Sequence, residues 1–300
     1  MKRVRVGATI VLLMGLMALP HLGVAFDENS DLVFMGAEGF PVSIGGAPGP
    51  FGTDVQFFAA EAPDAGAFNV SLRCYNANQT VTVNTTVDLT TGAADNDLLP
   101  MFFLVPPGTL FSCWGRSSPL FDFSGYVALG ARGTDGSVLG SNSSRMLGGA
   151  IMQSATIRST GTSGNGSFPL FLQHASGTSI SSSGWNSAIF LLDPFSAATS
   201  ADATVDVYDA GGTLIDTFDS LGGLGVPNLR VHLLGDSVGS SGALITGAVD
   251  VTGIVGCCGF NGAVMGMLYM FNIISGEALL SNLAVDNDDV FQLGPGDPRP

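Results

Sequence analysis

A serine between two glycines is the first candidate for chemistry. Gly235-Asp236-Ser237-Val238-Gly239 follows an apolar run and matches the G-x-S-x-G pattern, which presents a nucleophilic serine at a sharp turn. Such a hydroxyl attacks a substrate only when a base removes its proton, and the pattern places the histidine base after the serine in the chain. Beyond residue 25 the histidines are His174 and His232, and both precede Ser237. The sequence therefore predicts a polar turn and no catalytic residue, with a secreted serine hydrolase that uses Ser237 as an alternative.

Two runs of acidic residues could supply ligands to a metal ion. Asp95-Asn96-Asp97 and Asp286-Asn287-Asp288-Asp289 offer the oxygen atoms that calcium prefers. Neither run has the spacing of a known calcium loop, so we interpret both as solvated turns and predict neither a metal nor a cofactor. Lys2 is the only lysine of the chain, which excludes chemistry based on a lysine amine.

The amino terminus has the pattern of a cleaved export signal. Residues 1–25 combine several basic residues, the uncharged run Ala8–Leu19 and the small-residue exit Gly23-Val24-Ala25. The apolar run is shorter than the roughly 20 residues of a membrane-spanning helix. We therefore predict cleavage after Ala25 and a secreted, extracellular or cell-surface protein, with the periplasm as the other location open to it.

In an exported protein, the cysteines are expected to form disulfides. Cys74 and Cys113 both lie in predicted strands, and a bond between them closes a loop of about 40 residues, worth on the order of 4 kcal/mol through chain entropy. We predict this pair. Cys257 and Cys258 are adjacent and flanked by glycines, so a bond between them, bonds to other chains and a reduced, buried state all stay open.

The charge of the chain limits its partners. The formal net charge is −15, and removal of residues 1–25, which carry three basic and no acidic residues, makes it about −18. Nucleic acids and anionic membrane surfaces bind proteins through cationic patches, so neither is an expected partner. Apolar residues make up 46% of the sequence, which is enough for a buried core.

Short runs that alternate between apolar and polar residues predict strands with one buried face. Asn69–Tyr75, Thr204–Tyr208 and Leu229–Leu233 alternate in this way, and the last of them places His232 on the solvent side. Turn sequences such as Asp209-Ala210-Gly211-Gly212 separate the runs. The sequence therefore predicts an all-β fold of antiparallel strands.

The two halves of the chain resemble each other. An offset of 133 residues places Phe57 on Phe190 and Tyr75 on Tyr208, and it also superimposes the turns that follow the two tyrosines. Agreement of a strand, a turn and the next strand at one offset indicates a duplication. Each copy, of about 130 residues, has the size of a β-sandwich.

We therefore expect a signal, two β-sandwich units in tandem and a flexible tail. The join is placed in a run of Ser, Thr and Gly, which has the composition of a flexible linker. The predicted segments are the signal 1–25, the first unit 26–158, the linker 159–167, the second unit 168–292 and the tail 293–300.

One segment of the second unit has a sequence pattern of its own. The run from Trp185 to Asp193-Pro194, followed by the run from Val205 to Asp209-Ala210-Gly211-Gly212, resembles the Ig-like repeats of bacterial surface and secreted proteins. The resemblance covers about 30 residues and implies an Ig-like sandwich that spaces, displays or adheres without catalysis. The first unit departs from the pattern, with Gly52 at the position of the tryptophan and Glu61 at that of the proline.

The stretch 251–274 contains no charged residue and is long enough to span a bilayer. Its frequent glycines suit two buried strands joined by a tight turn, and they also suit a packed membrane helix. The alignment of the two halves favours core strands, and the membrane segment remains an alternative.

Taken together, these features predict a non-enzymatic structural or adhesive protein that is secreted or displayed on the cell surface. Its expected partner is a cell-surface or matrix component, with a glycan or a second copy of the chain as options, and membrane contact is not expected after signal cleavage. Binding would use exposed aromatic residues such as Trp114, Trp185 or Tyr126, unless these pack in the core. An extracellular carbohydrate-binding module is the first alternative, in which aromatic side chains on one sheet face stack on sugar rings.

Overall fold

The computed structural model consists of β-strands joined by turns. It describes residues 31–41, 48–59, 67–90, 98–118, 123–132, 138–139, 143–145, 147–148, 156–159, 163–193, 201–220, 228–255 and 262–285. These ranges contain short 3₁₀ turns at Met101–Phe103 and Leu234–Asp236 and no α-helix. Within them, no helix has the length and hydrophobicity to cross a membrane. The prediction of an all-β fold is confirmed.

The first half of the chain forms a sandwich of two antiparallel sheets. Its strands are β1 (Asp31–Glu38), β2 (Phe51–Ala59), β3 (Ala67–Asn76), β4 (Val81–Thr90), β5 (Leu98–Pro100), β6 (Thr109–Ser118), β7 (Phe123–Arg132), β8 (Val138–Leu139), β9 (Ser143–Arg145) and β10 (Leu147–Gly148). Sheet 1 has the order β10-β1-β6-β3-β4. Sheet 2 has the order β5-β2-β7-β8, and β9 also pairs with β7.

The second half forms another sandwich of two antiparallel sheets. Its strands are β11 (Thr156–Ser159), β12 (Ser163–His174), β13 (Trp185–Asp193), β14 (Ala201–Asp209), β15 (Leu214–Ser220), β16 (Asn228–Leu233), β17 (Leu244–Val255), β18 (Gly262–Asn272), β19 (Ala278–Asn282) and β20 (Ala284–Val285). Sheet 3 has the order β11-β18-β13-β16, with β19 paired to β18, and sheet 4 has the order β15-β14-β17-β12-β20.

The two sandwiches share one topology. The order β1-β6-β3-β4 in sheet 1 matches β12-β17-β14-β15 in sheet 4, and β2 contacts β5 and β7 as β13 contacts β16 and β18. The register shifts by a bulge just before Tyr75 and again just before Tyr208. The turn that follows is also the same, because Asn76 Oδ1 accepts two backbone N–H groups at 3.0 Å and Asp209 Oδ1 accepts two at 2.9 Å. This agreement supports the predicted duplication.

The strands β13 and β18 of sheet 3 are buried on both faces, and sheet 3 packs against both halves of the chain. Between sheets 3 and 4 lies a core that includes Ile189 and Leu268. On its other face, sheet 3 contributes Phe190, Tyr269 and Phe271 to the core of the first sandwich. The ring of Phe40 lies 5.4 to 6.1 Å from all three of these rings, measured between centroids. One face of sheet 3 therefore packs into the core of the first sandwich, and an aromatic cluster lies at this junction.

Two predicted segments can be compared with these strands. The segment 159–167, predicted as a flexible linker, contains the last residue of β11 and the first residues of β12, so those positions form strands rather than a linker. In the uncharged stretch 251–274, the described residues belong to β17, β18 and the turn after β18, as the core-strand interpretation has it. The stretch lacks charge in β18 because both faces of that strand are buried. The unit boundaries remain predictions.

Cys74 and Cys113 are joined by a disulfide, as the pairing prediction has it. The two residues are directly opposite each other on β3 and β6, and both are buried. The signal, the tail, the two acidic runs and the Cys257-Cys258 pair lie outside the described residues.

Candidate functional site

The outer face of sheet 4, which is turned away from the core of the second sandwich, carries many polar side chains. Alternation along the strands sends Val205, Val207 and Val249 into the core and sends Asp206 and Asp250 outward. The same alternation brings further side chains to this face, namely Asn165, Ser167, Thr204, Tyr208, Leu214, Thr217, Asp219, Thr246, Ala248 and Thr252. We call this surface the outer face.

A groove crosses the outer face and has two parts that meet at Asp250. The first part has a volume of about 460 Å³ and is lined by Tyr208, Asp209, Leu170 and Ala248, among others. The second part has a volume of about 340 Å³ and is more polar, and it is lined by Asn165, Ser167, Asp206, Asp250 and Thr252, among others. Both parts are shallow and open to solvent, so the groove offers a contact surface rather than an enclosed cavity.

The groove is acidic and consists mainly of hydrogen-bond acceptors. Asp206 on β14 is directly opposite Asp250 on β17, and like charges in this position destabilise a sheet. Thr217 donates a hydrogen bond of 2.7 Å to Asp206 Oδ1, which satisfies one of the four carboxylate oxygens of the pair. No lysine, arginine or histidine is among the described residues that line either part. The arrangement therefore favours a ligand that brings donors or positive charge.

The equivalent surface of the first sandwich is filled by its own side chains. Tyr75 corresponds to Tyr208, and its ring contacts Trp114 edge-on with 5.6 Å between centroids. Arg73 pairs with Trp114 across β3 and β6 as Asp206 pairs with Asp250 across β14 and β17. Asp250, which lines both parts of the groove, therefore has the strand position that Trp114 has in the first sandwich. Tyr75 and Trp114 are buried there, whereas Tyr208 is partly exposed.

The structure does not bring a histidine to Ser237. This serine follows the 3₁₀ turn Leu234–Asp236, and its backbone N–H donates to Leu234 O. His174 Nδ1 accepts the backbone N–H of Trp185 at 3.0 Å, and this bond holds the loop between β12 and β13. His232 forms its hydrogen bond with Ser220 on β15. The described residues therefore do not assemble the base and nucleophile that a Ser237 hydrolase requires.

His232 forms a pair that the sequence did not indicate. Its Nε2 lies 2.9 Å from Ser220 Oγ, and its ring packs against that of Phe218 with 4.3 Å between centroids and 35° between the ring planes. The prediction that His232 faces solvent is wrong, because this face of β16 is turned toward the edge strand β15 of sheet 4. Burial lowers the pKa of His232, and the charge of Arg230 lowers it further. Ser220 is only 4% exposed, and the pair joins the edge strand β16 of sheet 3 to the edge strand β15 of sheet 4.

A second unpredicted cluster links β1, β2 and β7 of the first sandwich. The Arg132 guanidinium donates to both oxygens of Glu38 at 2.7 Å and to Asp54 Oδ1 at 2.9 Å. A further bond of 2.9 Å goes to Thr53 O, and the guanidinium carbon lies 4.8 Å from the centroid of the Phe102 ring. Burial alone would lower the pKa of Arg132, but its bonds to the two carboxylates raise it. Both carboxylates are bound to the same guanidinium in a largely buried setting, which is typical of a structural ion cluster.

The aromatic residues predicted to bind partners are not the ones that line the groove. Trp114 is 3% exposed, and Trp185 is partly buried against the core of the second sandwich. Tyr126 is partly exposed on β7 in the first sandwich. Tyr208 is the aromatic residue that lines the groove. The only sequence feature that singled out Tyr208 was its alignment with Tyr75 in the repeat. No three His, Cys, Asp or Glu side chains within the described ranges are arranged to hold a metal ion.

Comparisons with known proteins place the chain near no characterised family. No family model matches it, and no curated protein matches it either. Among solved structures, it is similar to the VP2 subviral particle of infectious bursal disease virus, with 14% identity over 92% of this chain and 82% of that chain and a TM-score of 0.25. The Gx strain of the same virus gives 12% identity over 82% and 69% of the two chains and a TM-score of 0.22. Similarity at this level carries no functional information, so the function is argued from the geometry.

Proposed function

We propose that this chain is an extracytoplasmic, non-enzymatic protein with a structural or adhesive role, and that it binds its partner through the outer face of sheet 4. The groove beside Tyr208 is the observation that carries the proposal. It is an open, acidic surface, and the equivalent surface of the first sandwich is covered by side chains of that sandwich.

The rest of the described structure fits a rigid support for such a surface. Sheet 3 packs against sheet 4 on one face and into the core of the first sandwich on the other, so the outer face belongs to a body in which the two sandwiches are packed together. The polar clusters around Arg132 and His232 are engaged in contacts that tie strands together. An extracytoplasmic location is supported by the export pattern of residues 1–25 and by the buried Cys74–Cys113 disulfide, since disulfides persist in oxidising compartments.

A carbohydrate-binding module is the second candidate, because the groove combines an aromatic ring with hydrogen-bonding side chains. Such modules use rows of two or three aromatic rings on one face. In the described part of the outer face, Tyr208 is the single aromatic residue, so we rank this function below adhesion to a protein partner.

The test measures adhesion of beads that carry the mature chain, residues 26–300. The beads are applied to intact cells of the producing organism and to surface material extracted from those cells. Ala248→Arg places a long side chain in the groove, and Ser183→Arg makes the same change in an exposed loop. We expect the wild type and Ser183→Arg to adhere equally and Ala248→Arg to lose most of its adhesion, with unchanged melting temperatures. Absence of adhesion, or equal adhesion of all three proteins, would overturn the proposal. So would labelling by a serine-directed activity probe that is lost in Ser237→Ala.

A further inference from the structure

In the first sandwich, Tyr75 shows which groups pack beside the tyrosine at the position equivalent to Tyr208. The guanidinium carbon of Arg73 lies 5.3 Å from the centroid of the Tyr75 ring, within the range of a cation–π interaction. The edge of the same ring contacts the Trp114 indole. In the second sandwich, Asp206 and Asp250 stand at the positions of Arg73 and Trp114. Tyr208 therefore has neither the cation nor the indole at these positions. Asp250 lines the part of the groove beside Tyr208, and Asp206 lines the adjoining part together with Asp250.

The charges of the groove determine which ligand group can take the place of the missing cation and indole. Asp206, Asp209 and Asp250 all line the groove, and the described lining has no basic residue. An anionic ligand would be repelled. A neutral ligand would leave the opposed pair of Asp206 and Asp250 uncompensated, whereas a cation would remove the repulsion between them.

From these observations we infer that the groove binds an arginine side chain that a partner polypeptide presents. The inference rests on the proposed function and names the chemistry of its partner. A guanidinium is planar, so it stacks on the Tyr208 ring, and its forked N–H groups donate to the carboxylates of Asp206 and Asp250. A lysine ammonium supplies the charge but neither the flat face nor the fork, so arginine is the preferred residue.

Three short peptides test this chemistry directly. Acetyl-Gly-Arg-Gly-amide is titrated into the mature chain by calorimetry or NMR, beside the same peptide with lysine and with citrulline. Citrulline keeps the shape of arginine and lacks its charge. We expect the citrulline peptide to bind at least about tenfold more weakly than the arginine peptide and the lysine peptide to be intermediate, and raising NaCl from 0.05 M to 0.5 M should weaken the arginine peptide severalfold.

Variants locate the binding in the groove. Asp250→Asn and Asp206→Asn each remove one carboxylate charge, and we expect each to weaken the arginine peptide about fivefold to tenfold. Asp236→Asn makes the same charge change at an exposed position that does not line the groove and should leave the affinity unchanged. Tyr208→Leu should weaken the arginine peptide more than the lysine peptide, since the leucine keeps an apolar contact but removes the ring.

Several results would overturn the inference. The first two are an arginine peptide that binds no more tightly than the citrulline peptide and one that binds no more tightly than the lysine peptide. The third is an equal loss of affinity in Asp250→Asn and Asp236→Asn. The fourth is binding of a neutral oligosaccharide, such as maltohexaose or cellohexaose, with no binding of the arginine peptide. The proposed function fails separately. If Ala248→Arg abolishes bead adhesion and excess arginine peptide does not compete, adhesion through the outer face stands and arginine recognition is wrong. If the arginine peptide binds and no surface retains the beads, arginine recognition stands and the adhesive role is wrong.

Discussion

Replacing Tyr269 by phenylalanine removes one oxygen atom from the core that the two sandwiches share, and we expect the protein to become more stable. Tyr269 is fully buried, and its ring lies against Phe40, Phe51 and Phe271. Its hydroxyl has no hydrogen-bond partner among the described residues. A buried hydroxyl without a partner costs about 1–3 kcal/mol, and Tyr269→Phe should recover a gain of that size in the free energy of unfolding at pH 8.

The gain should grow at alkaline pH. Burial raises the pKa of Tyr269 well above the ordinary value of 10.0, so the folded protein keeps this hydroxyl protonated while the unfolded chain ionises it. The unfolded state therefore binds fewer protons than the folded state above pH 10, and the contribution of Tyr269 to stability falls as pH rises. At pH 11 the ionisation stabilises the unfolded wild type by about 1.4 kcal/mol relative to pH 8. The Tyr269→Phe variant has no such term.

The assay is urea unfolding of both proteins at pH 8, 9, 10 and 11, followed by tryptophan fluorescence. The quantity to compare is the difference in unfolding free energy between variant and wild type, because the other titrating groups cancel in it. Tyr208→Phe is the control, since water reaches that side chain, and its effect should stay within about 0.5 kcal/mol. A variant that is less stable at pH 8, or a difference that does not grow above pH 10, would refute an unpaired hydroxyl in a dry core.

Three further changes test other parts of the structure. Reduction of the Cys74–Cys113 disulfide, or its replacement by two alanines, should lower the unfolding free energy by about 4 kcal/mol, measured by urea unfolding with and without reductant. Arg132→Met leaves two buried carboxylates uncompensated and should cost about 3–5 kcal/mol, whereas Arg230→Met at an exposed position should cost less than about 0.5 kcal/mol; equal effects would contradict the ion cluster. Because the pKa of His232 is lowered in the fold, stability should fall as pH drops below 6.5, and melting curves from pH 7.5 to 5 should show a smaller fall in His232→Gln.

The alternation of apolar and polar residues with period two was sufficient to predict the strands that have one solvent-exposed face. Tyr75 and Tyr208 end such strands, and the tight turns after them are local structures that their own side chains stabilise. Fold class, the duplication and the Cys74–Cys113 pairing were therefore accessible from the sequence. The same rule does not apply to β13 and β18, because both faces of these strands are buried and no polar residue marks an outer side.

The groove could not be predicted, because it depends on pairing between distant strands. Asp206 and Asp250 meet only through the register of β14 and β17. Their correspondence to Arg73 and Trp114 is also hidden, since Trp114 matches Asp250 at an offset of 136 residues whereas Arg73 and Tyr75 match Asp206 and Tyr208 at an offset of 133. Likewise, His232 alternates as a solvent-facing residue should, but its strand lies where the edge of the neighbouring sheet covers it.

The variant Asp250→Trp tests the central claim most directly, because it rebuilds in the second sandwich the indole that fills this position in the first. The measurement is bead adhesion of Asp250→Trp beside the wild type, together with the melting temperature of each. If the open space beside Tyr208 is the binding surface, adhesion should be lost while the melting temperature is kept or raised. Adhesion equal to the wild type by a folded Asp250→Trp protein would show that the partner binds elsewhere.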